Sequence, residues 1–326
     1  MVELQEFLSC PGPIFDVRAP LEYAAGHIPG ATSFPLFSDD ERAQVGTIYK
    51  KEGKRAAVEL GVRLVGPKLS HLLEEAKSHL EGGGQCRVYC WRGGMRSGFV
   101  SWFLNFCGYE VSTLTHGYKT WRRAVLQQLN QPYTFHVVGG FTGTGKTALL
   151  GQLARSSHQV IDLEALANHR GSTFGLPPGA VQPSVEQFEN DLAGELFRLD
   201  PTRPIWIEDE SSKIGSIAIP KGFFERLKTS PLYFIEAPLE ARVDHILAIY
   251  GAYPEDYLIR CTQKLMKKLG KLRTEEVCAH ISAKELRRAI AILLDYYDEN
   301  YAFALTKYQR QVIRLPRNDF LHQWGC

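Results

Sequence analysis

In the stretch VYCWRGGMRSG, residues 88–98, a single cysteine ends an apolar run and is followed by Arg92, Gly93, Gly94 and Arg96. Val88 and Tyr89 favour extended structure, and the residues after Ser97 favour a helix, so the loop between them is read as a strand-to-helix turn. Ser97 is the expected cap of that helix, and Phe99, Val100, Trp102, Phe103 and Phe106 make it largely buried. Gly93 and Gly94 permit positive φ, which lets successive N–H groups point inward, and the start of the helix adds its own unpaired donors. Arg92, Gly93, Gly94, Arg96 and Ser97 therefore form an expected anion cup. At its rim the Cys90 thiol meets cations and N–H dipoles, both of which favour the nucleophilic thiolate.

A second loop, GFTGTGKT at 140–147, matches the phosphate-binding pattern G-x4-G-K-T. It follows the apolar segment TFHVVGG and precedes ALLGQLA, the strand and helix that such a loop requires. Gly140, Gly143, Thr144 and Gly145 are expected to wrap a diphosphate with backbone amides, Lys146 to add positive charge, and the Thr147 hydroxyl to hold magnesium. The outer partner of the metal should be an acid at the end of another buried strand. PIWIEDES, residues 204–211, offers Glu208, Asp209 and Glu210. Which of them faces the loop depends on register, because alternate residues face opposite ways along a strand. Asp209 is the candidate taken with Thr147. VIDLEALANHRGSTFG, residues 160–175, supplies a further wall, with Asp162 and Glu164 ending a strand and His169, Arg170 and Ser172 in a polar loop.

The elements that must position these loops fit a chain of 326 residues, 44 % hydrophobic and 23 % charged, which is long enough for two cores. The boundary is read near residue 131, giving domains 1–130 and 131–326, with ELRRAIAILLDYYDENY (285–301) as a long helix near the end. No apolar run reaches the roughly 18 residues of a membrane span, and MVELQEFLSC has neither a basic n-region nor a long apolar h-region. A cytoplasmic protein is expected. The cysteines at 10, 86, 90, 107, 261, 278 and 326 show no paired metal spacing and read as reduced thiols. Net charge is only +2, yet KLMKKLGKLR (264–273) has five basic and no acidic residues. On one helix Lys264, Lys267, Lys268 and Lys271 would share a face opposite Leu265, Leu269 and Leu272, a stripe suited to RNA phosphates.

Three resemblances sharpen these readings. Cys90 and Arg96 fit the Cys-x5-Arg signature of cysteine phosphatases, with Tyr89 where those enzymes usually carry His. DVRAPLEYAAGHIPGA (16–31) resembles the amino-terminal signature of rhodanese domains, and LTHGYKTW (114–121) also resembles that family. The rhodanese likeness maps the persulfide-carrying cysteine onto Cys90 and leaves Asp16, Arg18, Glu22 and His27 as scaffold. The loop from Cys90 through Arg96 is a residue longer than in common sulfurtransferases, which suits a phosphate-like group. Taken together, YCWRGGMRSG, GFTGTGKT, IDLEALANHRGS and WIEDES, in the order rhodanese then P-loop, resemble the bacterial tRNA 2-selenouridine synthase family over nearly the whole chain.

That resemblance implies an α/β protein: a rhodanese-like domain with a central, mostly parallel sheet, then a P-loop NTPase-like α/β domain with additional C-terminal helices. It implies replacement of the sulfur of wobble 2-thiouridine by selenium from selenophosphate, through an S-geranyl intermediate made from geranyl diphosphate. The 140–147 loop would then hold the diphosphate of the prenyl donor rather than ATP, with magnesium neutralising the departing pyrophosphate. Cys90 would receive or relay selenium, with Arg92, Arg96 and the loop amides on selenophosphate. Partners would be tRNA and the selenophosphate-producing enzyme, with no membrane. A P-loop kinase or NTPase with a regulatory rhodanese domain, a Cys-x5-Arg phosphatase, and a non-enzymatic RNA-binding protein remain alternative readings of the same residues.

Overall fold

Short apolar runs alternate with helices through both halves of the chain, and both halves bury parallel sheets, as βαβ connection requires. The computed structural model describes residues 1–80 and 84–324, in two units, Met1–Gln128 and Leu129–Cys326. Cys326 lies outside the described residues. Among those described, no helix is long and apolar enough to cross a membrane.

The first unit holds β1 (Ile14–Asp16), β2 (Ala31–Ser33), β3 (Gln85–Tyr89) and β4 (Glu110–Thr113) in the order β2-β1-β3-β4, every pair parallel. β1 and β3 are central, so the segments that end them, Asp16 and Cys90, emerge side by side at the carboxyl edge; Asp16 pairs in register with Tyr89. Phe15, Phe34, Val88 and Leu104 form part of the core. The helix Met95–Phe106 starts two residues before Ser97, with Gly94 at its cap position. It is also less buried than expected: Ser97, Val100 and Leu104 face inward, whereas Trp102 and Phe106 are 60 % and 79 % exposed. These two are four apart, so the helical period places them together on the outer face, with ring centroids 5.9 Å apart.

In the second unit β5 (Phe135–Gly140), β6 (Gln159–Ile161), β7 (Ile205–Glu208), β10 (Leu232–Glu236) and β11 (Val312–Pro316) form a parallel sheet ordered β11-β10-β5-β7-β6. The strands β8 (Lys213–Ile214) and β9 (Ile217–Ala218) make a separate antiparallel hairpin. From β5 the chain builds β6 and β7 on one side and then crosses to β10 and β11 on the other. The carboxyl end of β5 is thus a topological switch point, where open α/β sheets leave a crevice. Between β10 and β11 lies a helical insertion that includes Leu239–Tyr250 and Leu286–Leu305.

This insertion corrects the basic stripe. Residues 264–273 do not form one helix: Glu255–Lys264, Met266–Leu269 and Lys271–Ser282 are separate, and Gly270 has φ +87°. Lys264, Lys267, Lys268 and Lys271 are all exposed, but on three helices. Leu265 and Leu269 are buried, whereas Leu272 is 82 % exposed. A glycine in positive φ ends one helical direction and starts another, so a pattern counted at 3.6 residues per turn does not run through it.

Candidate functional site

Cys90 follows β3 directly and is 3 % exposed, at the base of its loop rather than at the rim. Its Sγ lies 3.2 Å from Ser97 Oγ, so the serine expected to cap the helix instead faces the thiol. The segment 114–121 fixes the loop from behind: Tyr118 N donates to Cys90 O at 2.8 Å and Lys119 N to Trp91 O at 3.1 Å. Gly117 is required for this approach. It has φ +58°, and a Cβ there would sit 2.1 Å from Cys90 O. Among the described residues, the amides of Arg92, Gly93 and Gly94 donate to no backbone carbonyl.

The scaffold beneath is an ionic and aromatic clamp. Arg18 bonds both oxygens of Asp16, donates to Gly26 O at 2.6 Å, and lies 3.8 Å from the centroid of the Tyr118 ring. Tyr89, standing where phosphatases carry His, donates to Asp16 Oδ2 at 2.8 Å and accepts from Ile28 N. Burial opposes the charge of Arg18, but Asp16 outweighs it and holds the guanidinium pKa above its ordinary value. His27 stacks on Tyr23 with centroids 3.8 Å apart. Glu22 and Arg96 change the expected picture. Arg96 Nη1 lies 2.5 Å from Glu22 Oε2 and Nη2 3.2 Å from Oε1, so its planar fork is filled by a carboxylate and not held open for an anion. Burial pushes Glu22 up, yet Arg96 prevails and keeps its pKa below the ordinary value. Arg92 is exposed and is the loop's remaining arginine. The Cys-x5-Arg reading loses its oxyanion grip.

The 140–147 loop joins β5 to the helix Lys146–Arg155. Three glycines in positive φ shape it, and each is closely packed: a Cβ on Gly140 would meet Ile235 O at 2.7 Å, and one on Gly143 would meet Arg242 O at 2.9 Å. Thr144 is buried, its hydroxyl donating to Phe141 O at 3.0 Å. Lys146 Nζ folds back to Gly140 O at 3.0 Å, which places the ammonium across the loop mouth. From the helical insertion, Arg242 pairs bidentately with Asp298 and donates to Thr142 O. Arg317 approaches Gly145 closely enough that its Nη1 would be 2.6 Å from a Cβ there. His245 lies near as well. Burial, then Arg317 and Lys146, keep its pKa below the ordinary value.

Asp209 is corrected as a metal ligand. Its Oδ1 accepts from Lys228 Nζ at 2.6 Å, and its Oδ2 from Arg310 Nη2 at 2.7 Å and Tyr301 Oη at 2.5 Å. Two cations already occupy this carboxylate, and despite burial they hold its pKa below the ordinary value. The acid that meets Thr147 is Glu164, which lies not at a strand end but in the short helix Leu163–Leu166; its Oε2 accepts from Thr147 Oγ1 at 3.3 Å. Asp162 caps that helix by accepting from Ala165 N. Among the described residues no group of three or more acidic, His or Cys side chains has metal-binding geometry, so Thr147 and Glu164 supply two oxygens but not a complete protein site.

Behind them sits an acid cluster. Glu208 is 1 % exposed; its Oε2 accepts from Leu163 N, its Oε1 has no partner among the described residues, and burial followed by Asp162 and Glu164 drives its pKa well up. Burial and then Glu164 push Glu210 up to about 8. Burial likewise raises Glu164, against the pull of Lys146. Carboxylates crowded in this way take up a proton at higher pH than isolated ones.

One cavity of about 810 Å³ connects these groups. Lys146, Thr147, Glu164, His169, Arg170 and Glu210 line its polar part, and Ile246, Ile249, Leu258, Ile290, Leu293 and Leu294 its apolar part. A phosphate-type loop here opens into a hydrocarbon wall.

The model of the tRNA 2-selenouridine synthase AAA domain matches residues 133–325, and the rhodanese-like domain matches residues 1–124. A tRNA 2-selenouridine synthase of Marinobacter nauticus is 34 % identical over 96 % of this chain and 94 % of its own length. The chain belongs to the tRNA 2-selenouridine synthase family. A relative of the same name from Shewanella loihica is 33 % identical over 99 % of this chain and 95 % of its own. The match to that of Nitrosomonas europaea, 38 % identical, spans 76 % of this chain and 64 % of the relative.

Within this synthase-family chain, the sequence motifs point to the loop residues, Glu164, His169 and Arg170, which line the cavity together. They do not point to Lys228, Tyr301 and Arg310, which surround Asp209, nor to His245 and Arg317 beside the loop. No motif carries those five. The apolar lining is visible in the sequence only as the ordinary periodicity of core helices.

Proposed function

We propose that this chain exchanges the sulfur of wobble 2-thiouridine in tRNA for selenium, in two steps joined by an S-geranyl intermediate. The observation that carries this reading is the cavity that runs from the 140–147 loop into an apolar wall. A prenyl diphosphate has a polar head and a hydrocarbon tail that match both ends of this cavity. Family membership supports the tRNA substrate and the selenium chemistry.

In the first step the thione sulfur attacks C1 of the geranyl group, the C1–O bond breaks, and the diphosphate leaves onto the loop amides and Lys146. Charge developing on that leaving group is what a preorganised ammonium stabilises best. Magnesium, when present, would add to that neutralisation, and Thr147 and Glu164 would help to hold it. The base loses its N3 proton to bulk water. In the second step selenium adds to C2 and geranylthiol departs. Cys90 serves selenium delivery: attack of its sulfur on the phosphorus of selenophosphate breaks the P–Se bond and releases selenide without change of oxidation state, and water then frees the thiol. Arg92 and the loop amides bind the phosphoryl oxygens. The exposed lysines 264, 267, 268 and 271 give tRNA phosphates a basic surface, and the selenophosphate-producing enzyme is the expected supplier in the cytoplasm.

Mass analysis of tRNA nucleosides from cells with and without this protein tests the reading, alongside purified Lys146→Ala protein given geranyl diphosphate. Loss of 2-selenouridine from cells, and of S-geranyl product in the variant, is expected. Unchanged 2-selenouridine without the protein overturns it. Steady ATP hydrolysis with no geranyl transfer would favour the NTPase reading instead.

A further inference from the structure

Asp209 carries one negative charge and meets two cations. The side chains of Lys228 and Arg310 are 9 % and 2 % exposed, and both ion-pair with it. Tyr301, the third partner, is a neutral donor, its pKa held well above the ordinary value by burial and then by Asp209. The cluster therefore keeps a net positive charge away from water, an arrangement that is costly until an anion joins it.

Arg310 is the incomplete member. Only Nη2 is bonded; Nε and Nη1 are buried and, among the described residues, have no hydrogen-bond partner. Three N–H donors of a buried guanidinium are thus unused, which is unfavourable while it stays so. Arg310 lines the same cavity as the 140–147 loop, and so does Lys228. It stands three hydrogen bonds from that loop: it shares Asp209 Oδ2 with Tyr301, whose hydroxyl lies 3.4 Å from Gly140 N.

We propose that Arg310 is the centre of a second anion subsite in this cavity, which takes a phosphate-class oxyanion distinct from the diphosphate on the loop. Two sources carry that chemistry, a phosphodiester flanking the modified nucleotide of the RNA and a free phosphoryl co-substrate of the selenophosphate type, which would then use this subsite in addition to the Cys90 loop. Either would hold a second substrate beside the leaving group. The subsite stands on the unpaired guanidinium and does not depend on the prenyl-transfer reading.

Inorganic phosphate is the probe. The full chain carrying Lys146→Ala, which weakens the loop's own site, is titrated with phosphate by calorimetry and by its unfolding midpoint, with and without Arg310→Lys. Lysine keeps the charge against Asp209 but lacks the planar Nε and Nη1 donors. Phosphate should raise the unfolding midpoint of the Lys146→Ala protein, and its affinity should fall about tenfold or more when Arg310 becomes Lys. An unfolding midpoint that phosphate does not move overturns the subsite, and this measurement needs no Arg310 variant. So does equal phosphate affinity with Arg and with Lys. With the loop intact, an Arg310→Lys protein whose Kd for tRNA rises assigns the phosphodiester, and one whose KM rises only for selenophosphate assigns the free co-substrate. If neither constant moves, the subsite is wrong, while S-geranyl product formation, measured separately, continues to judge the prenyl reading.

Discussion

The Tyr301 hydroxyl donates to Asp209 Oδ2 at 2.5 Å, which ties the long helix Leu286–Leu305 to the residue just past β7. The same hydroxyl oxygen lies 3.4 Å from Gly140 N, at the start of the phosphate-type loop. One phenol thus links the helical insertion, the acid that anchors two buried cations, and the loop itself.

Tyr301→Phe removes a hydrogen bond to a buried charge and should destabilise the second unit by about 1.5–3 kcal/mol. The loop loses a neighbour too, so geranyl transfer should fall more than the change in stability alone would require. Urea unfolding, followed by transfer assays at a temperature where both proteins are folded, measures the two effects. A variant within about 0.5 kcal/mol of the parent, a margin typical of inconsequential surface changes, would remove the link.

Cys90→Ala should abolish selenium incorporation and leave S-geranylation largely intact, since the thiol and the diphosphate-type loop belong to different units. The readout is the ratio of S-geranyl to selenium product in purified tRNA. Equal loss of both products would contradict the division of labour.

Glu210 makes stability depend on pH in a definite direction. Its ordinary value is 4.5 and its folded value about 8, so between those limits the folded chain keeps a proton that the unfolded chain has released. Folding then binds a proton, and stability falls as pH rises through that window. Glu164 and Glu208, also raised, act with the same sign. Glu210→Gln should flatten the decline between pH 5 and 8, about a few kcal/mol at most for a coupled pair. Urea midpoints across that range decide it, and parallel curves for parent and variant would reject the assignment.

Replacing Lys264, Lys267, Lys268 and Lys271 by Gln should weaken binding to all tRNAs alike and flatten its salt dependence by about one log–log unit for each phosphate that is no longer neutralised. Prenyl-donor binding should not change. A titration across salt concentrations that returns the parent's slope would place the RNA on another surface.

Local chemistry made much of this protein legible from its residues. A glycine-rich loop between a strand and a helix has few alternatives once Gly140, Gly143 and Gly145 alternate with polar residues, because only glycine accepts both the positive φ and the close approach to Ile235 O and Arg242 O. Cys90 is likewise marked out by its neighbours, and the parallel sheets by the resemblance that its motifs carry. Partnership was not legible. Arg96 sits in the right place along the chain to grip an anion, yet Glu22, from a separate helix, reaches it first. Asp209 and Glu164 are both plausible acids by position, but only packing brought Lys228 and Arg310 to one and Thr147 to the other. The reason is physical: conformational preference is set by a residue and its near neighbours, whereas charge pairing, burial and cavity shape are set by groups that meet only when distant segments close on one another. Gly270 shows the boundary between the two, since one positive φ interrupts a continuous sequence pattern that the fold divides among three helices.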